Sequence, residues 1–304
     1  MGRFTAAMMR KAATLCAAFG LALAGGAAMA DQPHPWQLGF QDAANPITQR
    51  IHAFHDELLV IICLIAGFVF ALLIYVMVRF NARAHPVPTR TSHNTVIEIL
   101  WTVVPVLILV IIAIPSFKLM YYMDRVPDSK MTIKVTGHQW YWEYTYPDQG
   151  NFGFNSNIIA DKDLKQGQPR LLEVDNPLVL PADTTVRVQV AGSDVIHSWF
   201  VPSFGVQEYA VIGRNNESWF NVEKPGTYYG ECNQICGVNH AFMPVEVKVL
   251  PKADFDKWVA EAKTKFAADR PANEIATKVA AAQPAAETMA AGSVAAGPAA
   301  AGDR

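Results

Sequence analysis

Five side chains in the second half of the chain have the types and spacing of metal donors. Cys232, Cys236, His240 and Met243 fall within residues 232–243, and His197 lies upstream in the run Asp194, Val195, Ile196, His197, Ser198, Trp199. Two thiolates, two imidazoles and a thioether form a soft set that favours copper over magnesium, calcium or manganese. A mononuclear blue-copper site needs one Cys, two His and a weak axial Met, which leaves one thiolate in excess. If both sulfurs bridge two four-coordinate coppers, they fill four of the positions, and His197, His240 and Met243 fill three more. A backbone carbonyl in the turn between the cysteines can complete the set. The residues therefore point to a dinuclear copper centre that stores and passes one electron shared over two metals.

Other chemistries fit parts of the pattern. The spacing of four from Cys232 to Cys236 to His240 would suit one face of a helix, but Gly230, Gly237, Asn233, Asn239 and Pro244 favour a loop. In an exported domain a cysteine pair is by default a disulfide. The following His240 and Met243, with His197 upstream, reverse that preference. Structural zinc sites draw on Cys and His without Met.

The elements that position these donors can be read from composition. The chain has 304 residues, four Cys, 51% hydrophobic residues and a formal charge of −2, enough for one domain plus membrane segments. Residues 1–30 carry Arg3, Arg10 and Lys11, then small apolar residues, then Ala28, Met29 and Ala30, the pattern of a cleaved export signal. Its removal takes three positive charges and leaves the chain at −5. Cys16 leaves with it, and Cys63 lies in an apolar run as a small hydrophobe. Residues 58–78 and 99–117 are uncharged runs of 21 and 19 residues, the second holding Pro105 and Pro115. At about 1.5 Å per residue each spans a hydrocarbon core of roughly 30 Å. The loop between them carries Arg79, Arg83 and Arg90 and no acid, which places it in the cytoplasm and both ends of the mature chain outside.

Residues 31–123 thus form an N-terminal segment and a membrane hairpin, with helices expected over about 58–80 and 97–119. Residues 124–250 are expected to form an all-β domain of Greek-key barrel or sandwich type. Its β-rich runs are 132–136, 140–146, 171–174, 184–190, 218–222, 227–229 and 245–250, separated by segments containing Gly, Pro and Asn. The donors fall in loops after such runs, where a rigid scaffold can hold them. Phe255, Trp258, Val259, Ala262 and Phe266 recur at helical spacing, so 251–266 reads as an amphipathic helix. Residues 267–304 are rich in Ala, Gly and Pro and read as a disordered or processed tail.

The Cys232 to Met243 segment, the His197 run, residues 137–146 (GHQWYWEYTY) and the hairpin together closely resemble subunit II of bacterial haem-copper cytochrome c oxidase, from about Gln49 to Trp258. The resemblance implies a cupredoxin-like domain carrying the dinuclear CuA centre. Cys232 and Cys236 would bridge, one copper taking His197 and Met243, the other His240 and the carbonyl of Gln234. Where the family usually has Glu, this chain has Gln234, whose neutral amide replaces a carboxylate that binds magnesium or manganese at the boundary with subunit I. Trp140 would receive electrons from cytochrome c. By alternation alone, Trp140, Trp142, Tyr144 and Tyr146 read as one core face of a strand. Asp175 and Asp194 match acidic positions of the docking face, and Glu98 matches a glutamate at the mouth of a proton path into subunit I. An interfacial glutamate reaching water is the plainer reading of Glu98.

The implied function is electron entry. Cytochrome c reduces the copper pair, and electrons pass to haem in subunit I, where oxygen becomes water with proton pumping; subunit III is a further expected partner. Nothing in this chain offers haem ligands, so haem belongs to the partner subunit. Residues 124–250 hold 15 acids and 10 bases, which steers a basic protein partner towards the domain and makes nucleic acid no expected partner. A membrane-tethered copper chaperone or thiol-redox protein would use the same cysteines, but a closed donor set opposes metal release. A quinol-oxidase module would lack these ligands, and two spans disfavour a soluble nitrous oxide reductase. A fused cytochrome c domain is excluded by the absence of C-x-x-C-H. The expected location is the bacterial inner membrane, with the domain on the periplasmic side.

Overall fold

The computed structural model describes residues 29–87 and 89–266. Most of the expected signal segment and the whole expected tail, 267–304, lie outside the described residues. Residues Met29–Asp31 (β1), at the expected cleavage point, pair in parallel with Thr227 and Tyr228.

Two long helices follow. Helix α1 runs Pro46–Arg79 and α2 runs Thr95–Asp124, each longer than its apolar run. At about 1.5 Å per residue α1 is roughly 51 Å long, well beyond a bilayer core. Its first twelve residues, including Arg50, His52, Asp56 and Glu57, precede the uncharged run. The start of α1 is tied to the β domain. Asn45 caps it by accepting from Thr48 N at 3.0 Å, and its Nδ2 donates to Phe204 O at 2.8 Å. Thr48 Oγ1 donates to Ser203 O at 2.9 Å. Gly205, at φ +62°, faces this turn, where an added Cβ would stand 2.8 Å from Ile51 Cδ1. A second tie stacks Arg50 over Tyr122 at 3.9 Å, and Tyr122 meets Trp219 edge-on at 5.5 Å. The hairpin and the β domain are thereby joined by buried polar bonds and by rings.

The β domain is a two-sheet sandwich. One sheet has five strands in the order β4 (Phe152–Ser156), β3 (Tyr141–Tyr146), β2 (Met131–His138), β6 (Thr185–Gly192) and β9 (Asn216–Asn221). The other orders β5 (Leu178–Pro181), β11 (Pro244–Leu250), β10 (Gly226–Cys232), β7 (His197–Val201) and β8 (Val206–Ala210), with β1 also on β10. Inward positions alternate as sterics require: Met131, Ile133 and Val135 on β2, Trp142, Tyr144 and Tyr146 on β3, and Val245, Val247 and Val249 on β11 are buried. Helix α3, Lys252–Lys265, lays Phe255, Val259 and Ala262 against this core, and its Trp258 packs on Tyr146 at 5.4 Å.

The fold matches the expected sandwich behind a hairpin, with local differences. Residues 171–174 form no strand; Leu171 sits at φ +69° in a turn, and only Val174 bridges to Ile158. Strands β4, β5, β7 and β8 were not among the expected runs, because each is only four or five residues long and holds at most one β-branched residue. His197, expected in a loop, is the first residue of β7.

Strand β10 divides its edge: β1 takes Thr227 and Tyr228, while Glu231 and Cys232 pair with Phe200 and Trp199 of β7. Gly230 sits at this approach, and a Cβ there would collide with the Phe200 carbonyl. Because the obstacle is backbone, Gly230→Ala is expected to destabilise the domain by about 3 kcal/mol. Its thermal midpoint in detergent, followed by circular dichroism, should fall by roughly 5–10 °C.

Candidate metal centre

Strand register brings the donors together. Cys232 ends β10 opposite Trp199, two residues after His197 at the start of β7. Asn233 N donates to Ser198 O at 3.0 Å, and Cys232 N donates to Met243 O at 3.3 Å, which draws the start of β11 alongside. Residues 233–239 loop out between them without a helical turn, and Gly237 holds φ +122°. His240 opens a short 3-10 turn, His240–Phe242, that returns the chain to Met243.

The resulting cluster is rich in sulfur. Cys232 Sγ and Cys236 Sγ are 3.8 Å apart, far beyond the ~2.05 Å of a disulfide. Each sulfur has two further donors beside it. Cys232 Sγ lies 4.0 Å from His197 Nδ1 and 3.3 Å from the Gln234 carbonyl. Cys236 Sγ lies 3.6 Å from His240 Nδ1 and 3.5 Å from Met243 Sδ. The donor atoms of His197, Cys232 and Cys236 lie within 4.8 Å of one another. His197, both cysteines and Met243 are buried, while His240 is half-buried.

Electrostatics distinguish the two thiols. Burial pushes the Cys232 thiol up, but hydrogen bonding with His197 and with the backbone of Ser198 and Gln234 outweighs it and leaves the group at about 7. For Cys236, burial and the adjacent Cys232 charge act together and raise it to about 12. Two thiolates side by side therefore require a cation between or beside them. Burial lowers the His197 imidazole, and its hydrogen bonds to Cys232 and Asp194 more than offset that, leaving it raised. Since Asp194 Oδ1 engages Nε2 at 2.9 Å, the ring turns Nδ1 towards the sulfurs.

A metal fits this donor set. Two thiolates sharing an ion at ~2.3 Å each can stand no more than ~4.6 Å apart, and the observed 3.8 Å lies within that reach. Soft sulfur with imidazole suits copper better than the hard cations.

The other residues singled out in the sequence divide. Trp142, Tyr144 and Tyr146 are fully buried, as core packing requires, but Trp140 precedes β3 in the turn and is half-buried. Its Nε1 donates to Cys236 O at 3.2 Å, so it touches the cysteine loop. Asp194 contacts His197. Asp175 is elsewhere: its carboxylate accepts from Asn157 N and Nδ2 at 2.8 and 3.1 Å, and it lines a cleft with Phe154 and Trp258. Glu98 lies in the first turn of α2, where Oε1 accepts from Asn94 N at 3.3 Å as part of the helix cap.

Sequence reasoning did not single out Gln139, whose Nε2 donates to Cys236 O at 2.9 Å, or Gly137, where a Cβ would lie 2.8 Å from His197 Cδ2. Both lie in the aromatic motif, but only the packing of the end of β2 against β7 of the opposite sheet reveals what they face. Trp142 also carries more than core packing, since its Nε1 donates to Met243 O at 3.3 Å.

Fold and donors together define a membrane-anchored, cupredoxin-like metal-binding protein. Comparison with known proteins makes the class specific. Residues 33–119 match the family model "Cytochrome C oxidase subunit II, transmembrane domain" and residues 131–250 match "Cytochrome C oxidase subunit II, periplasmic domain". A probable cytochrome c oxidase subunit 2 of Rickettsia bellii is 50% identical over 84% of this chain and 95% of its own. Cytochrome c oxidase subunit 2 of Arabidopsis thaliana is 48% identical over 76% of this chain and 91% of its own. Among solved structures, the periplasmic domain of subunit II of cytochrome oxidase of Bradyrhizobium japonicum is 50% identical and covers 47% of this chain and 99% of its own, with a TM-score of 0.44. The chain belongs to the cytochrome c oxidase subunit II family, and so is a component of an oxidoreductase complex.

Because Gly137 leaves no space beside the His197 ring, Gly137→Ala is expected to displace that imidazole. Copper retention against a competing chelator should weaken by about tenfold or more, as for lost support around a ligating histidine. The copper-to-protein ratio after dialysis measures this.

Proposed function

We propose that this subunit receives electrons from cytochrome c at a dinuclear copper centre and delivers them towards haem in subunit I. The observation that carries the reading is the arrangement around the two unbonded sulfurs. His197 stands beside Cys232 and Met243 beside Cys236, while the Gln234 carbonyl and His240 stand beside the same two sulfurs in turn. Each sulfur thus borders one donor of either terminal pair, as two bridged ions require: His197 with Met243, and His240 with Gln234 O. Two coppers held there would supply one-electron chemistry with the charge spread over both metals and sulfurs.

The chain's own residues do the rest. Burial of the cysteines, His197 and Met243 excludes water. Trp140 reaches from the surface to the Cys236 carbonyl, and we assign it electron entry. The acidic excess over residues 124–250 steers a basic donor protein, with association weakening as salt rises. Asp175 is an exposed candidate for that contact, and Glu98 a candidate for the mouth of a proton path. At a magnesium or manganese site shared with subunit I, Gln234 would give an uncharged amide oxygen. We place the domain on the periplasmic face of a bacterial inner membrane, with subunits I and III around the hairpin. The proposed division is a cleaved segment 1–30, hairpin region 31–123, copper domain 124–250 and helix 251–266.

Metal analysis of the purified oxidase tests the centre: after allowance for copper in other subunits, two coppers per chain are expected here. One copper, or zinc, would overturn it. For the entry residue, Trp140→Phe should slow electron uptake from cytochrome c in stopped flow at unchanged copper content. Normal uptake by that variant would remove Trp140 from the route.

A further inference from the structure

The join between the hairpin and the β domain holds polar atoms that no neighbouring group satisfies. Arg187 on β6 and Trp219 on β9 are register partners, so their side chains leave the outer face of the sheet together, and Asn221 follows two residues on along the same face. Their sequence neighbours Val186, Val188 and Phe220 point into the core. Arg187 Nε, Trp219 Nε1 and Asn221 Oδ1 are each closed off from solvent without a hydrogen-bond partner. Trp219 is only 7% exposed, so its indole N–H is a buried donor of the kind that native structures rarely leave unpaired. Tyr122, near the end of α2, meets Trp219 edge-on at 5.5 Å, and Arg50 of α1 lies over the Tyr122 ring at 3.9 Å. Among the described residues neither Arg50 nor Arg187 makes an ion pair.

The cluster lies at the level of lipid headgroups. The uncharged run of α2 ends at Phe117, and Tyr122 stands five residues further on, about 7.5 Å beyond the hydrocarbon edge. A headgroup layer is roughly 5–7 Å thick on each side of the bilayer, and Trp and Tyr favour this depth. Lys118, the first charge beyond the run, is one helical turn below Tyr122 on the same side of α2, and Ile111 and Ile114 lie exposed beneath it.

We propose that Arg187, Trp219 and Arg50 form a headgroup site for an anionic phospholipid of the leaflet beneath the β domain. Arg187 and Arg50 hold the phosphodiester oxygens, Trp219 Nε1 donates to the same phosphate, and Asn221 Oδ1 accepts from a headgroup hydroxyl. The Tyr122 ring, packed here against Trp219 and Arg50, turns aside to admit the phosphate. The acyl chains run down α2 past Ile114 and Ile111. Arginine suits this task, because its planar fork donates paired bonds to phosphate oxygens. On a domain with an acidic excess, three cations at its membrane edge select an anionic lipid over a zwitterionic one. A carboxylate from a partner subunit would offer similar oxygens, but the depth of the cluster and the apolar wall below it favour a lipid.

The experiment uses the assembled oxidase in detergent, depleted of loosely held lipid, titrated with phosphatidylglycerol or phosphatidylcholine and read by native mass spectrometry. Wild type should fill one phosphatidylglycerol position ahead of any phosphatidylcholine. For Arg187→Gln and for Trp219→Phe that position should need about tenfold more lipid to fill, whereas Arg83→Gln, in the loop at the other end of the hairpin, should leave it unchanged. Trp219→Phe keeps a ring against Tyr122 and removes only the N–H, so its thermal midpoint should hold. Arg50→Gln alters an exposed side chain and carries the same expectation should Arg187→Gln fail to assemble. Unchanged phosphatidylglycerol binding in these variants would overturn the proposal. Displacement of the lipid by inorganic phosphate at constant ionic strength would make this a site for the free anion and overturn the lipid assignment. Loss of a partner subunit from Arg187→Gln with lipid binding intact would give the arginine to a protein carboxylate, and would overturn it as well.

Discussion

The register between β10 and β7 is the constraint on which the site depends. Pairing Cys232 with Trp199 sets the first cysteine beside His197, and the bond from Cys232 N to Met243 O returns the chain so that the thioether closes the pocket. A strand slip of one residue would turn every side chain to the other face and carry Cys232 out of the core. That register is held by the aromatic and β-branched residues of both sheets and by Gly230, which lets β10 approach the Phe200 carbonyl. The gathering of these soft donors is thus a consequence of sheet packing, with the loop 233–239 supplying only what the strands cannot reach.

Around this arrangement the protein spends its polar groups on orientation. The Cys236 carbonyl accepts from Gln139 and Trp140, Met243 O accepts from Trp142, and Asp194 joins His197 to the turn beside it. The first three of these bonds hold the backbone of a donor residue, and the Asp194 bond holds a donor ring. Support of this kind matters because a ligating side chain held from behind keeps its direction. The ties at Asn45, Thr48 and Arg50 extend the same logic to the membrane, holding the domain in a defined attitude on α1 and α2.

Much of this was legible in the sequence. The donors were visible because soft residues in a Gly- and Asn-rich loop have few other uses together, and the spans because a bilayer demands long uncharged runs. The sandwich followed from short alternating strands. Contacts made in three dimensions alone were hidden: His197 opening β7 depends on which strands pair, while Gly137 against its ring and Gln139 bonding Cys236 O depend on one sheet packing over the other. Residues 171–174 misled because their apolar content serves a turn packed over the sheet, where no neighbouring strand offers a ladder. Asp194 could be recognised as acidic, but its bonds to His197 and Gln139 were set by the fold. Resemblance to the family supplied the terminal pairs of ligands, which spacing left open.

The central claim is that both cysteines serve two equivalent metals at once. Electron paramagnetic resonance of the oxidised copper centre in the assembled enzyme tests it most directly. The account predicts hyperfine splitting from one unpaired electron shared equally by two copper nuclei. A pattern from a single copper nucleus would contradict it.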